Sequence, residues 1–181
     1  MTSTIKKQYH DGFTLLEMLF AVIIFSFALV SLMLIAGKGV IATSTAKDQL
    51  IAQYLAEEAA EVARNMRDTN FITGNEWLAG FDNCVQTSPC DVDYTDIPKL
   101  VSIDGQTSLL YENNGGYYNQ NAGGSGASKF SRAVYLEDIG TTSHEKAIVV
   151  DITWKQRALD RKFTFRTYIS NWQQPSDTIN P

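Results

Sequence analysis

The chain has 181 residues, 44% apolar and 19% charged, which is the balance of one folded domain and not of a disordered polypeptide. Its 15 Lys and Arg against 20 Asp and Glu leave a net charge of -5, which excludes a chain-wide basic footprint for nucleic acid. Two cysteines and two histidines are too few for a multi-ligand Cys/His zinc site or an iron–sulfur cluster.

Residues 1–12, MTSTIKKQYHDG, form a short polar leader with Lys6 and Lys7, ending at Gly12. From Phe13 to Ala36 the chain reads FTLLEMLFAVIIFSFALVSLMLIA, with Glu17 as its one charge. As a helix this run reaches about 36 Å, against a hydrocarbon core of about 30 Å, so it is long enough to span with some tilt. A removable secretory signal has an apolar core of about 7–15 residues, shorter than this run. A plain signal anchor fits the length. Neither accounts for a carboxylate at the fifth position, since an ionisable group in a spanning helix costs roughly 2.5–3.5 kcal/mol at the centre and less near an end. The bland alternative is that Glu17 snorkels to the interface. Lys6 and Lys7 precede the run but Lys38 and Lys47 follow it, so the positive-inside bias is weak.

Gly-Phe-Thr-Leu-Leu-Glu, set between a short basic leader and a long apolar run, resembles the start of the type IV pilin family, which includes the pseudopilins of type II secretion. The resemblance rests on Gly12, Phe13 and Glu17 and covers the N-terminal part of the chain alone. It implies that a prepilin peptidase cuts between Gly12 and Phe13 on the cytoplasmic side, commonly with N-methylation of the new Phe13 amine. Such an amine has a reference pKa of about 7.7–8.0 and is largely protonated at neutral pH. In a helical bundle it is placed to pair with the Glu17 carboxylate of a neighbouring subunit. A paired charge is tolerated in low dielectric and an unpaired one is not, so Glu17 acts as a register key. The partners implied are the peptidase, other pilin or pseudopilin subunits, an inner-membrane assembly platform, and membrane lipid before assembly.

Beyond Gly37 and Gly39, where a bend or local melting is expected, a second period begins. Leu50, Ile51, Tyr54, Leu55, Ala59, Val62, Ala63 and Met66 recur at three- and four-residue steps, the apolar stripe of an amphipathic helix that packs on the protein's own sheet. Asp68-Thr69-Asn70 reads as its stop. Residues 71–100 are irregular and hold Cys84 and Cys90. The anchored topology puts them outside the cytoplasm, where disulfides persist, and a loop staple is expected. In the loop-entropy model so small a ring contributes roughly 2.4 kcal/mol. Asp91, Asp93 and Asp96 follow. Calcium favours such oxygen clusters, and major pseudopilins often bind it. The spacing fails the helix–loop–helix pattern, however, with Asp96 where Gly is required and Ser102 where Glu is required. The expectation is a solvated acidic loop, with calcium as a weaker alternative and no other cofactor.

The C-terminal part reads as antiparallel sheet. Leu100 to Glu112 suggests a hairpin around Gly105-Gln106. Residues 113–128 are a Gly/Asn-rich loop without a G-x-S-x-G nucleophile elbow. Phe130, Arg132, Val134 and Leu136 alternate with more exposed residues. Ile148 to Trp154 and Phe163 to Ile169 alternate likewise, as a hairpin closed around Arg157 to Asp160, with one face on the helix stripe. Residues 68–112 hold eight acids and one base, whereas residues 129–170 hold eight bases and five acids. Lys155, Arg157, Arg161, Lys162 and Arg166 cluster in sequence. DNA contact through phosphates is one reading of them. An acidic surface of one subunit meeting the basic surface of the next is the other.

The expected fold is α+β: a long N-terminal helix, membrane-spanning in its first half and amphipathic in its second, on a C-terminal antiparallel sheet. The expected segments are a cleaved leader (1–12), a transmembrane or filament-core helix (13–37), its amphipathic continuation (38–68), an extracytoplasmic β-rich head (69–172) and a tail (173–181). The expected function is non-enzymatic: a minor pilin or pseudopilin of a pilus, competence pilus or secretion pseudopilus, in the cytoplasmic membrane and then at the cell surface. The rival from another class is a signal-anchored protein whose head binds a ligand and which never polymerises.

Overall fold

A computed structural model describes residues 12–93, 97–103, 105, 107–112, 118–119, 126–140 and 144–172. The leader before Gly12, Asp96, most of the Gly/Asn-rich loop and the tail therefore lie outside the described residues. Among the described residues one helix, α1 (Leu15–Thr73), is followed by seven strands: β1 (Cys90–Asp93), β2 (Lys99–Ser102), β3 (Ser108–Glu112), β4 (Tyr118–Asn119), β5 (Gly126–Asp138), β6 (Glu145–Gln156) and β7 (Leu159–Ser170). The chain divides into two compact units, residues 1–45 and 46–181.

Within the first unit every side chain of α1 up to Thr43 is exposed. The apolar window has a mean hydropathy of 2.8, enough by length and composition to cross a membrane. Its hydroxyls are satisfied locally: Ser26 Oγ donates to Val22 O at 2.7 Å and Ser31 Oγ to Phe27 O at 2.9 Å. That is how polar side chains are accommodated in an apolar helix. The helix runs through Gly37 and Gly39 without the local melting expected as one outcome there. Two glycines cost about 1 kcal/mol each, too little to interrupt a helix already nucleated on both sides.

In the second unit the helix outlasts its expected stop and ends at Thr73. Gly74, at φ 74°, supplies the left-handed residue that terminates it. Its N–H donates to Phe71 O at 3.3 Å, and the N–H of Asn75 donates to Asn70 O at 2.9 Å, a Schellman pair. Asn70, read as part of the stop, is instead the tie to the next turn: Nδ2 donates to Ala79 O at 2.9 Å.

The buried stripe of α1 is Ala52, Leu55, Ala56, Ala59, Ala60, Val62 and Ala63. Leu50 and Tyr54, expected on it, are exposed. Five alanines along one line let the helix backbone approach the sheet, so small size rather than large apolar area defines the contact. Against it pack Phe130, Val134, Ile148, Val150, Ile152 and Trp154, together with Val92, Leu110 and Ile169.

All strand pairings are antiparallel. The long β5 organises the sheet. One edge takes β6 from Phe130↔Trp154 to Asp138↔Lys146, and β6 takes β7. The other edge carries two short strands in succession: β3, from Glu112↔Gly126 to Ser108↔Arg132, and β1 at Cys90↔Val134. Among the described residues Leu100 to Glu112 therefore do not pair as the expected hairpin. Its first half, β2, pairs with β1 (Val92↔Leu100), and its second half, β3, pairs with β5. For β3 the 13-residue β5 offers more ladder than the four-residue β2 does, and long-range pairing wins; β2 turns back on its near neighbour β1. The β6–β7 hairpin has the expected position, with Gln156↔Leu159 closing it and Arg157 at φ 58°, the positive dihedral that a tight hairpin turn requires.

Candidate functional site

The N-terminal site is built by a helix cap. Gly12, Phe13 and Thr14 are non-helical and exposed. Thr14 Oγ1 accepts the Glu17 N–H at 3.2 Å, and Thr14 O accepts the Met18 N–H at 3.2 Å. Thr14 is therefore the N-cap, and Thr-x-x-Glu has capping-box spacing. The cap leaves the Gly12–Phe13 peptide outside the helix. It also sets Glu17 in the first turn, beside the positive end of the helix dipole. Phe13 is 78% exposed, and the apolar side chains that follow are likewise open.

Residues 7–35 match the family model for the prokaryotic N-terminal methylation motif. Over this segment the chain is similar to type IV pilin-like proteins. The match covers the N-terminal segment only, and no curated protein or solved structure matches the chain. The motif belongs to structural subunits, not enzymes, and implies processing by a prepilin peptidase and assembly with other pilins. With the single long apolar helix it fits a membrane-anchored protein.

In the second unit, Cys84 and Cys90 form a disulfide. It holds the segment before β1 against β5, where the Leu136 N–H donates to Cys84 O at 2.7 Å.

The acidic segment departs from expectation. Asp91 is not solvated: it is fully buried in β1, where its Oδ1 pairs with the Arg132 Nε and accepts the Val92 N–H at 2.7 Å. Arg132 is itself fully buried and reaches α1, with Nη1 3.3 Å from Leu55 O and from the Glu58 carboxylate. A buried guanidinium in the inward row of β5 requires an anion, and Asp91 supplies it. Asp93 stands half-buried at the end of β1, and Asp96 lies outside the described residues. Among the described residues no three Asp, Glu, His or Cys side chains are grouped to hold a metal ion.

The five basic residues do not form one cluster. Register places Lys155, Lys162 and Arg166 on the outer face of the sheet, Arg161 on the helix-facing side opposite Trp154, and Arg157 in the turn. Arg166 is paired with Glu137 at 2.7 Å and Lys162 with Asp151 at 2.9 Å. Asp151 also accepts the Tyr135 hydroxyl at 3.2 Å and the Thr164 hydroxyl at 2.6 Å. Burial, and then the Asp151 charge, push the Tyr135 phenol from 10.0 up to about 12. The sequence reading missed this group, and it missed the Lys129–Asp48 pair at 2.6 Å that ties β5 to α1. The available signal was an acid within an apolar alternation, since inward or half-buried charges need partners.

Proposed function

We propose that the chain is a minor subunit, a minor pilin or pseudopilin, of a type IV pilus, competence pilus or type II secretion pseudopilus. It enters the cytoplasmic membrane as a single-span precursor with an extracytoplasmic head. The peptidase removes residues 1–12, and the Phe13 amine is methylated. The helix then leaves lipid for the filament core, where Glu17 pairs with the Phe13 ammonium of a neighbour. The uncut precursor has no such ammonium and carries a polar leader, so it does not polymerise.

The observation that carries this reading is the methylation motif on residues 7–35, which from Leu15 onward lies on a helix whose apolar side chains the chain itself leaves uncovered. N-terminal sequencing and intact mass of the membrane-extracted protein test it. The expected first residue is Phe13, with the mass of one methyl group added. An intact Met1, or a cut beyond Ala36, overturns it.

A further inference from the structure

Several basic side chains gather at one end of the second unit. Four contacts fix the level of the sheet against α1, and they run in order. Lys129 meets Asp48, Arg132 meets Leu55 and Glu58, Arg64 donates to the Thr167 hydroxyl at 2.6 Å, and the Phe71 and Trp172 rings stand 5.1 Å apart. The first of these lies where α1 enters the unit. The start of β5 and, through Phe130↔Trp154, the β6–β7 turn belong to that end. The exposed acids Asp68, Glu76 and Asp82 belong to the other.

At the entry end opens a cleft of about 490 Å³ lined by Lys129, Ser131, Thr153, Lys155, Arg161 and Lys162, with Asp160 as its one acid. Ser131, Thr153 and Lys162 are cross-strand neighbours in one row. Lys129 and Lys162 have partners in Asp48 and Asp151. Lys155 and Arg161 have no ion-pair partner among the described residues. Hydroxyl donors beside uncompensated cations match the charge and hydrogen-bonding needs of a phosphate oxyanion.

We propose that this cleft binds the phosphodiester headgroup of an anionic phospholipid. The choice of lipid rests on the reading that the chain is membrane-anchored before assembly. Asp48 follows Ala36, the last residue of the apolar run, by twelve residues. Chain connectivity therefore limits how far the cleft can lie from the apolar run. Basic side chains near an anionic leaflet add their attractions, and the effect fades over about 8–10 Å at ordinary ionic strength. The contact would orient the head at the membrane and would be given up when the subunit leaves lipid.

The test uses the full chain in a zwitterionic detergent, with amide chemical shifts of Ser131, Thr153 and Lys162 as the readout. It is titrated with dihexanoyl phosphatidylglycerol, dihexanoyl phosphatidylcholine, inorganic phosphate and a short single-stranded oligonucleotide. Saturable shifts with phosphatidylglycerol and none with phosphatidylcholine are expected. Lys155→Glu with Arg161→Glu raises the midpoint by at least about tenfold, and Lys155→Arg with Arg161→Lys restores it. Shifts of amides elsewhere in the sheet report that the variants fold. Equal response to both lipids, or none to either, overturns the proposal. Saturation by inorganic phosphate at the same midpoint reassigns the cleft to free phosphate, and tighter saturation by the oligonucleotide reassigns it to nucleic acid; either overturns the lipid proposal. The N-terminal mass decides the anchoring reading separately, so the two failures are distinguishable.

Discussion

The two units of this chain treat their apolar side chains in opposite ways. In the first, Phe13, Leu15, Phe20, Ile24, Phe27 and Met33 are all more than half exposed, so the stabilising environment must come from outside the chain. In the second, large apolar residues are turned inward onto an alanine stripe, and the charges that go in with them arrive already paired. The first unit is therefore incomplete without a bilayer or neighbouring helices, while the second has its own core. Damage to the first should appear in assembly with little effect on head stability. Damage to the second should appear in stability first.

Glu17→Ala is the sharpest way to test that division. Subunits carrying it should insert and be cut normally, yet incorporation into filaments, measured as the sheared-filament share of total protein, should fall to background. The thermal unfolding of the head should not move. Normal incorporation would end the register role of Glu17. Arg132→Ala should do the reverse. It strands Asp91 in the interior, and removal of one partner of a buried pair costs about 3–5 kcal/mol. Chemical denaturation of the full chain in detergent reads this, and Arg132→Met with Asp91→Leu should recover much of the loss. Equal stability of the single and double variants would show that Asp91 does not need its cation.

How much of this was legible follows the same division. The N-terminal methylation motif was legible, because Gly12, Phe13 and Glu17 are neighbours along the chain, whereas its Thr14 cap went unread. Strands β5, β6 and β7 were legible from their alternation. Strand β1 was not, because Cys-Asp-Val-Asp looks like a polar loop until Arg132 is known to lie beside it. The partners of β2 and β3 were hidden for a related reason: β2 turns back on β1, which did not read as a strand, and β3 pairs with the distant β5, which nothing in 100–112 reports. The alanine stripe was masked by Leu50 and Tyr54, which are more hydrophobic but point away. Five basic residues near each other in sequence proved to lie on two faces and a turn, because a strand sends successive side chains to opposite sides.

A smaller effect is expected from the disulfide. Cys84→Ser with Cys90→Ser should lower stability by roughly 2.4 kcal/mol in the loop-entropy model. The loss should be confined to the second unit, seen as faster amide exchange from residues 84–93 while the amides of residues 15–41 keep their rates. Exchange that rises equally in both would erase the distinction between them.

The smallest effect is set by pH. The Tyr135 phenol is held at about 12, against 10.0 ordinarily, because burial and the Asp151 carboxylate oppose its ionisation. Between those values the folded chain keeps a proton that the unfolded chain has lost. Stability that is fully present below about pH 10 therefore declines as pH rises through the folded value. Tyr135→Phe removes the titrating group together with a hydrogen bond worth about 1 kcal/mol, so it should be modestly less stable at neutral pH and should lose stability less steeply above pH 10. Unfolding midpoints taken from pH 8 to pH 12, wild type against variant, isolate the difference from the lysines that titrate in the same range. Parallel curves would mean that the phenol ionises as freely in the fold as outside it. The outer face of the sheet would then be wetter than the 3.2 Å contact between Tyr135 and Asp151 implies.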